Sequence, residues 1–221
     1  MEGQGGGVGR RLTLSFDLDG TLTSNHFVDS VWLEGLPELV SRRQGMDLSE
    51  ARRICLEAYE KEGPSSIRWY QLSYWLDYFG LNDIEPAGLV SRYASRVELY
   101  NDVLPVLGEL RSQGFPLVLF SNAARHFLDV EVARGGLAPF FDQMISVSDD
   151  WGMTKAEPCA FLRLKHLAGG DVVHIGDHLE FDYLLPRSVG IQAYHIRRSE
   201  GPGVEGSLNN LREFAARVKG E

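Results

Sequence analysis

The chain has few of the features that would place it in a membrane or in an oxidising compartment. Only two of its 221 residues are cysteines, so a disulfide framework is not expected and a reducing cytoplasm is the expected location. No run approaches the roughly 18 apolar residues that a membrane-spanning helix needs, and the N-terminal MEGQGGGVGRR lacks the apolar centre of a signal peptide. We therefore expect a cytoplasmic globular protein without a membrane partner, in which residues 1–11 form a disordered leader.

The positions of the two cysteines and the net charge say more about the kind of protein. Cys55 and Cys159 lie among apolar neighbours in helical patterns, which predicts buried thiols. Lysine and arginine total 22 against 31 acidic residues, for a net charge of −9, which argues against a nucleic-acid partner because phosphate backbones bind basic surfaces. Small phosphorylated substrates stay possible, since a cation and one or two lysines dominate a desolvated pocket.

The apolar patterning changes along the chain. Residues 12–17 predict a strand, whereas 24–98 predict helices only, near 26–43, 47–62, 66–79 and 85–98. After Tyr100 helices and strands alternate again. The predicted strands there are 116–121, 143–148, 171–176 and 191–196, and the predicted helices are 102–113, 124–134, 157–168, 180–188 and 206–218.

This alternation predicts an α/β fold, a Rossmann-like parallel sheet with helices on both faces and an inserted all-helical cap. The predicted division is a core of 12–23 and 99–221 and a cap of 24–98, with hinges near 22–26 and 98–102. In such sheets ligands bind at the carboxyl ends of the strands.

The most informative segment is LSFDLDGTLT, residues 14–23. Asp17 ends the first predicted strand, and Asp19 lies two residues further on, so both carboxylates can face one side of an extended segment. Gly20 permits the turn that follows. Asp, Gly and Thr are also ordinary turn residues, so a bare pair of aspartates would be weak evidence. Crowded carboxylates, however, require a cation or a shared proton, and both serve catalysis.

Other predicted strands also end in polar residues. PLVLFSNA leads into Ser121 and Asn122, which on their own are explained as helix-capping residues. VVHIGDHLEFD leads into Asp177, with Asp182 five residues further on, and an oxygen-lined site of this kind suits magnesium. Lys155 lies in the loop DDWGMTKAEP; a lone loop lysine is usually a solvated charge, but nearby carboxylates and a phosphate would turn it inward.

Taken in chain order, these motifs resemble the four signatures of the haloacid dehalogenase-like superfamily. The resemblance extends from Leu12 to about Ile196. The helical insertion resembles the C1-type cap of the subgroup with phosphoglycolate phosphatases and β-phosphoglucomutases. The third signature departs from the family pattern, because two residues separate Lys155 from Pro158. The resemblance implies a nucleophile at Asp17, a general acid and base at Asp19, and phosphate binders at Ser121, Asn122 and Lys155. It implies Mg²⁺ ligands at Asp17, Asp19 and Asp177, and at Asp182 a carboxylate that either belongs to the metal site or supports it.

The aromatic stretch RWYQLSYWLDYFG predicts the hydrophobic core of the cap, because aromatic stripes usually pack together. His26, Phe27 and Trp32 follow the first signature closely and are the candidates for substrate contacts.

The function that these features favour is a magnesium-dependent phosphatase acting on a small phosphorylated metabolite through an aspartyl phosphate. A phosphomutase would use the same intermediate but return the phosphoryl group to a sugar. A phosphometabolite-binding module would keep the fold without turnover. The sequence predicts neither the substrate nor the oligomeric state.

Overall fold

Five parallel strands form the sheet at the centre of the molecule. A computed structural model describes residues 12–198 and 204–220, so the predicted leader at 1–11 lies outside the described residues. The strands are β1 (Thr13–Phe16), β2 (Leu117–Ser121), β3 (Gln143–Ser146), β4 (Val172–Gly176) and β5 (Gln192–His195). Their spatial order is β3-β2-β1-β4-β5, which confirms the predicted α/β fold.

β1 occupies the middle of the sheet. Leu14 pairs with Leu117 of β2 on one side and with Val173 of β4 on the other. Every residue of β1, β2 and β4 is buried, as expected for a parallel sheet with both faces covered. The ends of these three strands therefore meet at one edge.

The segment 24–98 contains helices joined by turns and no strand, and we propose that it is a cap. Its helices are α1 (His26–Asp29), α2 (Leu36–Gln44), α3 (Leu48–Glu62), α4 (Leu72–Tyr78) and α5 (Pro86–Tyr93), with π-helical turns at Ser30–Gly35 between α1 and α2 and 3₁₀ turns at Ile67–Tyr70 and Ala94–Arg96.

The remaining helices surround the sheet. They are α6 (Val103–Ser112), α7 (Arg125–Gly135), α8 (Val147–Trp151), α9 (Pro158–Ala168), α10 (Leu185–Ser188) and α11 (Leu211–Lys219), with a 3₁₀ turn at Ala138–Phe140 and π-helical turns at Leu179–Leu184. No helix within 12–198 and 204–220 has the length and apolar character needed to cross a bilayer.

Three predicted elements differ from the structure. The strand near 143–148 ends at Ser146, whose hydroxyl accepts the Asp149 N–H and so begins α8. The helix predicted at 66–79 is interrupted at Gln71, which is extended. The last helix begins later than predicted, at Leu211, because Asn210 caps it by accepting the Glu213 N–H.

The prediction of two buried thiols was half wrong. Cys55 is buried, but Cys159 is exposed. Cys159 lies in the first turn of α9, and the buried face of that helix is formed by Ala160, Phe161 and Leu164 instead.

One apolar core extends from the sheet into the cap. It includes Phe16 of β1 and Trp75 of α4, and Trp75 contacts Tyr59 at 4.9 Å and Phe79 at 6.1 Å between ring centroids. The aromatic stretch therefore provides much of the internal packing of the cap, as predicted. Phe27 joins the two parts by packing against Phe127 of α7, at 5.9 Å.

A buried ion pair fastens the C-terminal part of the chain to the turn after β1. Arg198 Nη1 lies 2.9 Å from both Asp102 oxygens, and its Nε and Nη2 donate to the Thr21 carbonyl at 2.9 and 2.8 Å. Asp102 also accepts the Leu211 N–H at the start of α11, at 2.6 Å. This network connects the first signature, the end of the cap and the last helix.

We expect Arg198→Ala to lower the free energy of unfolding by about 3 to 5 kcal/mol, because it leaves Asp102 as a buried carboxylate without its cation. Denaturant unfolding followed by circular dichroism measures the change. The matched control is Arg53→Ala, which removes an arginine from exposed ion pairs with Glu50 and Glu57 and should have a much smaller effect. Equal effects of the two substitutions would contradict the structural role of the Arg198 network.

Candidate active site

The turn after β1 places two carboxylates at the centre of the sheet edge. The Asp17 N–H donates to the Ile175 carbonyl at 2.9 Å, so the ladder to β4 continues to the first aspartate. The Leu18 carbonyl then accepts the N–H groups of Thr21, Leu22 and Thr23. This compact turn fixes Asp19 beside the strand end.

Two glycines allow the other carboxylates to approach. A Cβ at Gly20, which has a φ of +74°, would lie 2.1 Å from Asp177 Oδ2, and one at Gly176 would lie 2.4 Å from Asp182 Cγ. Neither distance is compatible with a side chain. The Gly20 and Gly176 backbones therefore provide the space in which the Asp177 and Asp182 carboxyls pack.

Lys155 lies at the centre of the acidic group. Its Nζ is 2.6 Å from Asp17 Oδ1 and 2.6 Å from Asp182 Oδ1, and the residue is only 3% exposed. Asp17 Oδ2 accepts a further hydrogen bond from the Thr21 hydroxyl at 3.0 Å. The lysine thus points inward and is shared between two carboxylates.

Asp182 is fully used by neighbouring protein groups. Besides Lys155 it accepts the His178 N–H at 3.1 Å and is hydrogen-bonded to His174 Nε2 at 3.0 Å. Burial opposes ionisation of Asp182, but Lys155 and His174 outweigh it and hold the pKa of this carboxyl well below its usual range. Asp182 is therefore a permanent anion that positions Lys155.

Asp17, Asp19 and Asp177 have less positive charge around them than Asp182 has. Burial, followed by the charge of Asp182, raises the pKa of Asp17 although Lys155 opposes the change. Burial and then Asp17 raise the pKa of Asp177 to about 8 and that of Asp19 to about 7. In the metal-free chain these groups repel one another, and a divalent cation would remove the repulsion.

The donor set suits magnesium. Carboxylate oxygens of Asp17, Asp177 and Asp182 lie within 4.8 Å of one another, and an all-oxygen set is the one that Mg²⁺ prefers. This group contains Asp182 where the sequence predicted Asp19. Since Asp182 already binds Lys155 and His174, Asp17 and Asp177 are the members with open capacity.

Asp19 faces a buried carboxyl that the sequence did not reveal. Glu131 of α7 is completely buried and accepts the Thr23 hydroxyl at 2.7 Å. Among the described residues, no N–H or hydroxyl group donates to Asp19 Oδ1 or Glu131 Oε2, and the two carboxyls can hydrogen-bond to each other when one of them holds a proton. Burial, followed by the Asp19 charge, raises the pKa of Glu131 well above its usual range and so favours the neutral form of this carboxyl.

The end of β2 supplies a hydroxyl and an amide. Ser121 Oγ accepts the Ala123 N–H at 3.0 Å, which leaves its own hydrogen available. Asn122 Oδ1 accepts the Lys155 N–H at 2.8 Å, and its Nδ2 donates to the Tyr70 hydroxyl at 3.0 Å. The Asn122 side chain therefore connects the lysine loop to the cap and keeps one amide hydrogen free.

Tyr70 was not singled out by the sequence reasoning, which assigned the aromatic stretch mainly to the cap core. The break at Gln71 turns the Ile67–Tyr70 segment toward the sheet edge. Burial raises the pKa of Tyr70 to about 12, so its hydroxyl keeps its proton, which it donates to the Pro64 carbonyl at 2.9 Å.

A cavity of about 610 Å³ opens above these groups, between sheet edge and cap. Its cap wall includes residues spaced as one face of a helix, which are Asn25, Val28, Asp29, Trp32 and Leu33.

Of the three predicted substrate contacts, only Trp32 lines the cavity. Phe27 and His26 do not, because their positions on α1 face elsewhere. Phe27 is fully buried against Phe127, and the exposed His26 ring lies 3.6 Å from Glu98.

Comparison with known proteins identifies a family whose model matches most of this chain. A family model described as haloacid dehalogenase-like hydrolase matches residues 13–190. The glyceraldehyde 3-phosphate phosphatase of Methanocaldococcus jannaschii is 24% identical over 219 residues, which span 92% of this chain and 95% of that protein.

Two further relatives match at higher identity. The GMP/IMP nucleotidase YrfG of Escherichia coli is 30% identical over 134 residues, which span 61% of this chain and 59% of the nucleotidase. The crystal structure of a HAD phosphatase from Thermococcus onnurineus superposes with a TM-score of 0.83 at 27% identity, and the match covers 95% of this chain and 98% of that one. With the family model covering most of its length and the signatures meeting at one sheet edge, the chain belongs to the haloacid dehalogenase-like hydrolases.

Proposed function

We propose that this chain is a magnesium-dependent phosphatase that hydrolyses a small phosphorylated metabolite through an aspartyl-phosphate intermediate. The observation that supports this most is the Asp17 carboxylate, which lines the cavity and is held by Lys155 and Thr21. Two of the relatives carry names that describe hydrolysis of small phosphate esters.

Asp17 is the proposed nucleophile. The Lys155 ammonium favours the ionised carboxylate against the burial that raises its pKa, and the Thr21 hydroxyl fixes its plane. One carboxylate oxygen forms a bond to phosphorus while the bond between phosphorus and the ester oxygen breaks, and the electron pair of that bond goes to the leaving oxygen. The product of this step is a phosphorylated Asp17 and an alcohol.

Asp19 is the proposed general acid and base. With a pKa raised to about 7 by burial and by Asp17, it can hold a proton at neutral pH and give it to the leaving oxygen. The resulting carboxylate then takes a proton from water as the water attacks phosphorus. The bond to Asp17 breaks, and inorganic phosphate leaves.

The phosphate would be bound by donors at the ends of β2 and of the lysine loop. Ser121 offers its hydroxyl hydrogen, Asn122 its remaining amide hydrogen, and Lys155 its positive charge. These groups stabilise the negative charge on the transferred phosphoryl oxygens without having to reorganise.

Asp17 and Asp177 would hold Mg²⁺, with Asp19 as the third ligand that the family resemblance implies. When bound, the ion neutralises phosphate charge and aligns the phosphorus with the nucleophile. Asp182 takes no direct part, and instead fixes Lys155 through the 2.6 Å contact.

Asp17→Asn should reduce phosphate release by roughly 10³-fold or more, because an amide cannot attack phosphorus. The measurement is phosphate release from para-nitrophenyl phosphate with magnesium. The variant should stay folded by circular dichroism, since Lys155 keeps its contact with Asp182. Near-normal turnover would show that Asp17 is not the nucleophile.

Asp19→Asn should slow turnover by about 10²- to 10⁴-fold, the usual contribution of general acid–base catalysis. Because hydrolysis of the intermediate also needs Asp19, mass spectrometry of the variant mixed with substrate should detect a phosphorylated protein. A variant that turns over at the wild-type rate would mean that another group transfers the proton.

Removal of divalent ions with a chelator should abolish phosphate release, and added Mg²⁺ should restore it. The physical reason is that burial raises the pKa values of Asp17 and Asp177, so without a cation the ionised nucleophile is disfavoured and the phosphate charge is not neutralised. Unchanged turnover after exhaustive chelation would contradict the metal requirement.

A further inference from the structure

One part of the cavity wall is largely aromatic. Trp32 stacks on Phe127 at 5.4 Å, Tyr59 meets Trp32 edge-on at 5.9 Å, and Trp69 meets Tyr59 at 6.3 Å between ring centroids. All four residues line the cavity. The four rings form a continuous surface that runs from α7 of the core into the cap.

Hydrogen bonds within the protein hold the rings of this wall in position. The Tyr59 hydroxyl donates to the Trp32 carbonyl at 3.1 Å, and the Trp69 carbonyl accepts the Trp75 indole N–H at 3.3 Å. Tyr59 and Phe127 are buried, whereas Trp32 and Trp69 are half-buried. A preformed apolar wall binds an apolar group without an ordering cost.

The charges around the cavity are unfavourable for a substrate that carries an anionic group besides its phosphate. Among the described residues that line it, Lys155 is the only lysine or arginine, and it already contacts Asp17 and Asp182. The cap contributes Asp29 and Glu60 to the lining. An anionic group on the leaving side of the substrate would be desolvated beside like charges with no cation to pair with.

The size of the cavity favours a leaving group that carries a ring. A volume of about 610 Å³ lies in the range that accommodates ligands much larger than a three-carbon phosphate. A small polyol phosphate bound at Asp17 would leave the aromatic wall in contact with water. An uncharged ring attached to the leaving group would cover it.

We propose that the preferred substrates are phosphomonoesters whose leaving group carries a flat, uncharged ring and no second anionic group. The proposal rests on the proposed phosphatase function. The ring packs against Trp32 and Trp69, and ring N–H groups face the carboxylates of Asp29 and Glu60. The reaction is the hydrolysis described above, so only the identity of the alcohol is specified further.

Two matched pairs of substrates test the proposal on the unaltered protein with magnesium, by kcat/KM for phosphate release. A purine nucleoside 5′-monophosphate and ribose 5-phosphate share the leaving oxygen, but only the nucleotide carries the flat purine base. The kcat/KM of the nucleotide should be higher by about tenfold or more. Glycerol 3-phosphate and 3-phosphoglycerate differ in a carboxylate, and 3-phosphoglycerate should be poorer by about tenfold or more.

Variants assign these preferences to residues. Trp32→Ala should bring the two ring-pair substrates within about threefold of each other. Glu60→Lys should reduce the penalty for 3-phosphoglycerate by about threefold or more. The matched control is Glu57→Lys on the same helix, where the native Glu57 pairs with Arg53 on the surface, and it should leave both ratios unchanged.

The outcomes separate the two proposals. Phosphate release with equal kcat/KM for both members of either pair would overturn the substrate inference and leave the phosphatase function standing. An unchanged 3-phosphoglycerate penalty in Glu60→Lys would overturn the role of the cap carboxylates. Release of no phosphate from any of these compounds, or from para-nitrophenyl phosphate, would overturn the phosphatase function and the substrate inference with it.

Discussion

The contact of Lys155 with Asp17 and Asp182 is the interaction on which the site depends. Each distance is 2.6 Å and all three side chains are buried. A buried ammonium needs anionic partners, and two close carboxylates need a cation. The attraction between these charges therefore offsets the cost of burying each of them. The lysine loop, the end of β1 and the segment after β4 are held together in this way.

The sheet order explains why this contact forms. β1 lies between β2 and β4, so the turn that carries Asp17 has Ser121 on one side and Asp177 on the other. Any order that moved β1 to an edge would separate these residues by at least one strand, about 5 Å further. The long helical segment between β1 and β2 does not disturb the arrangement, since it leaves and returns at adjacent positions, where Thr23 bridges to Leu99.

The sequence was most informative where function and local pattern coincide. Asp17, Ser121 and Asp177 follow strands with strong apolar patterns, and a parallel sheet brings strand ends together whatever the details of packing. His174 and Glu131 were not predicted because no local pattern links them to their partners, and the fold brings His174 to Ser15 and Glu131 to Thr23 from more than 100 residues away. Phe27 and His26 were chosen by proximity to the first signature, whereas the helical rotation around α1 decides which side chains reach the cavity.

The hydrogen bond between Tyr70 and Asn122 links the proposed cap to the loop of Lys155, which contacts the proposed nucleophile Asp17. Asn122 holds the Lys155 backbone through one amide atom and the Tyr70 hydroxyl through the other. A movement that separates the Ile67–Tyr70 turn from the sheet edge would remove one of the two hydrogen bonds that orient the Asn122 side chain. Opening of the proposed cap to admit substrate would therefore also loosen the Lys155 loop beside the proposed nucleophile.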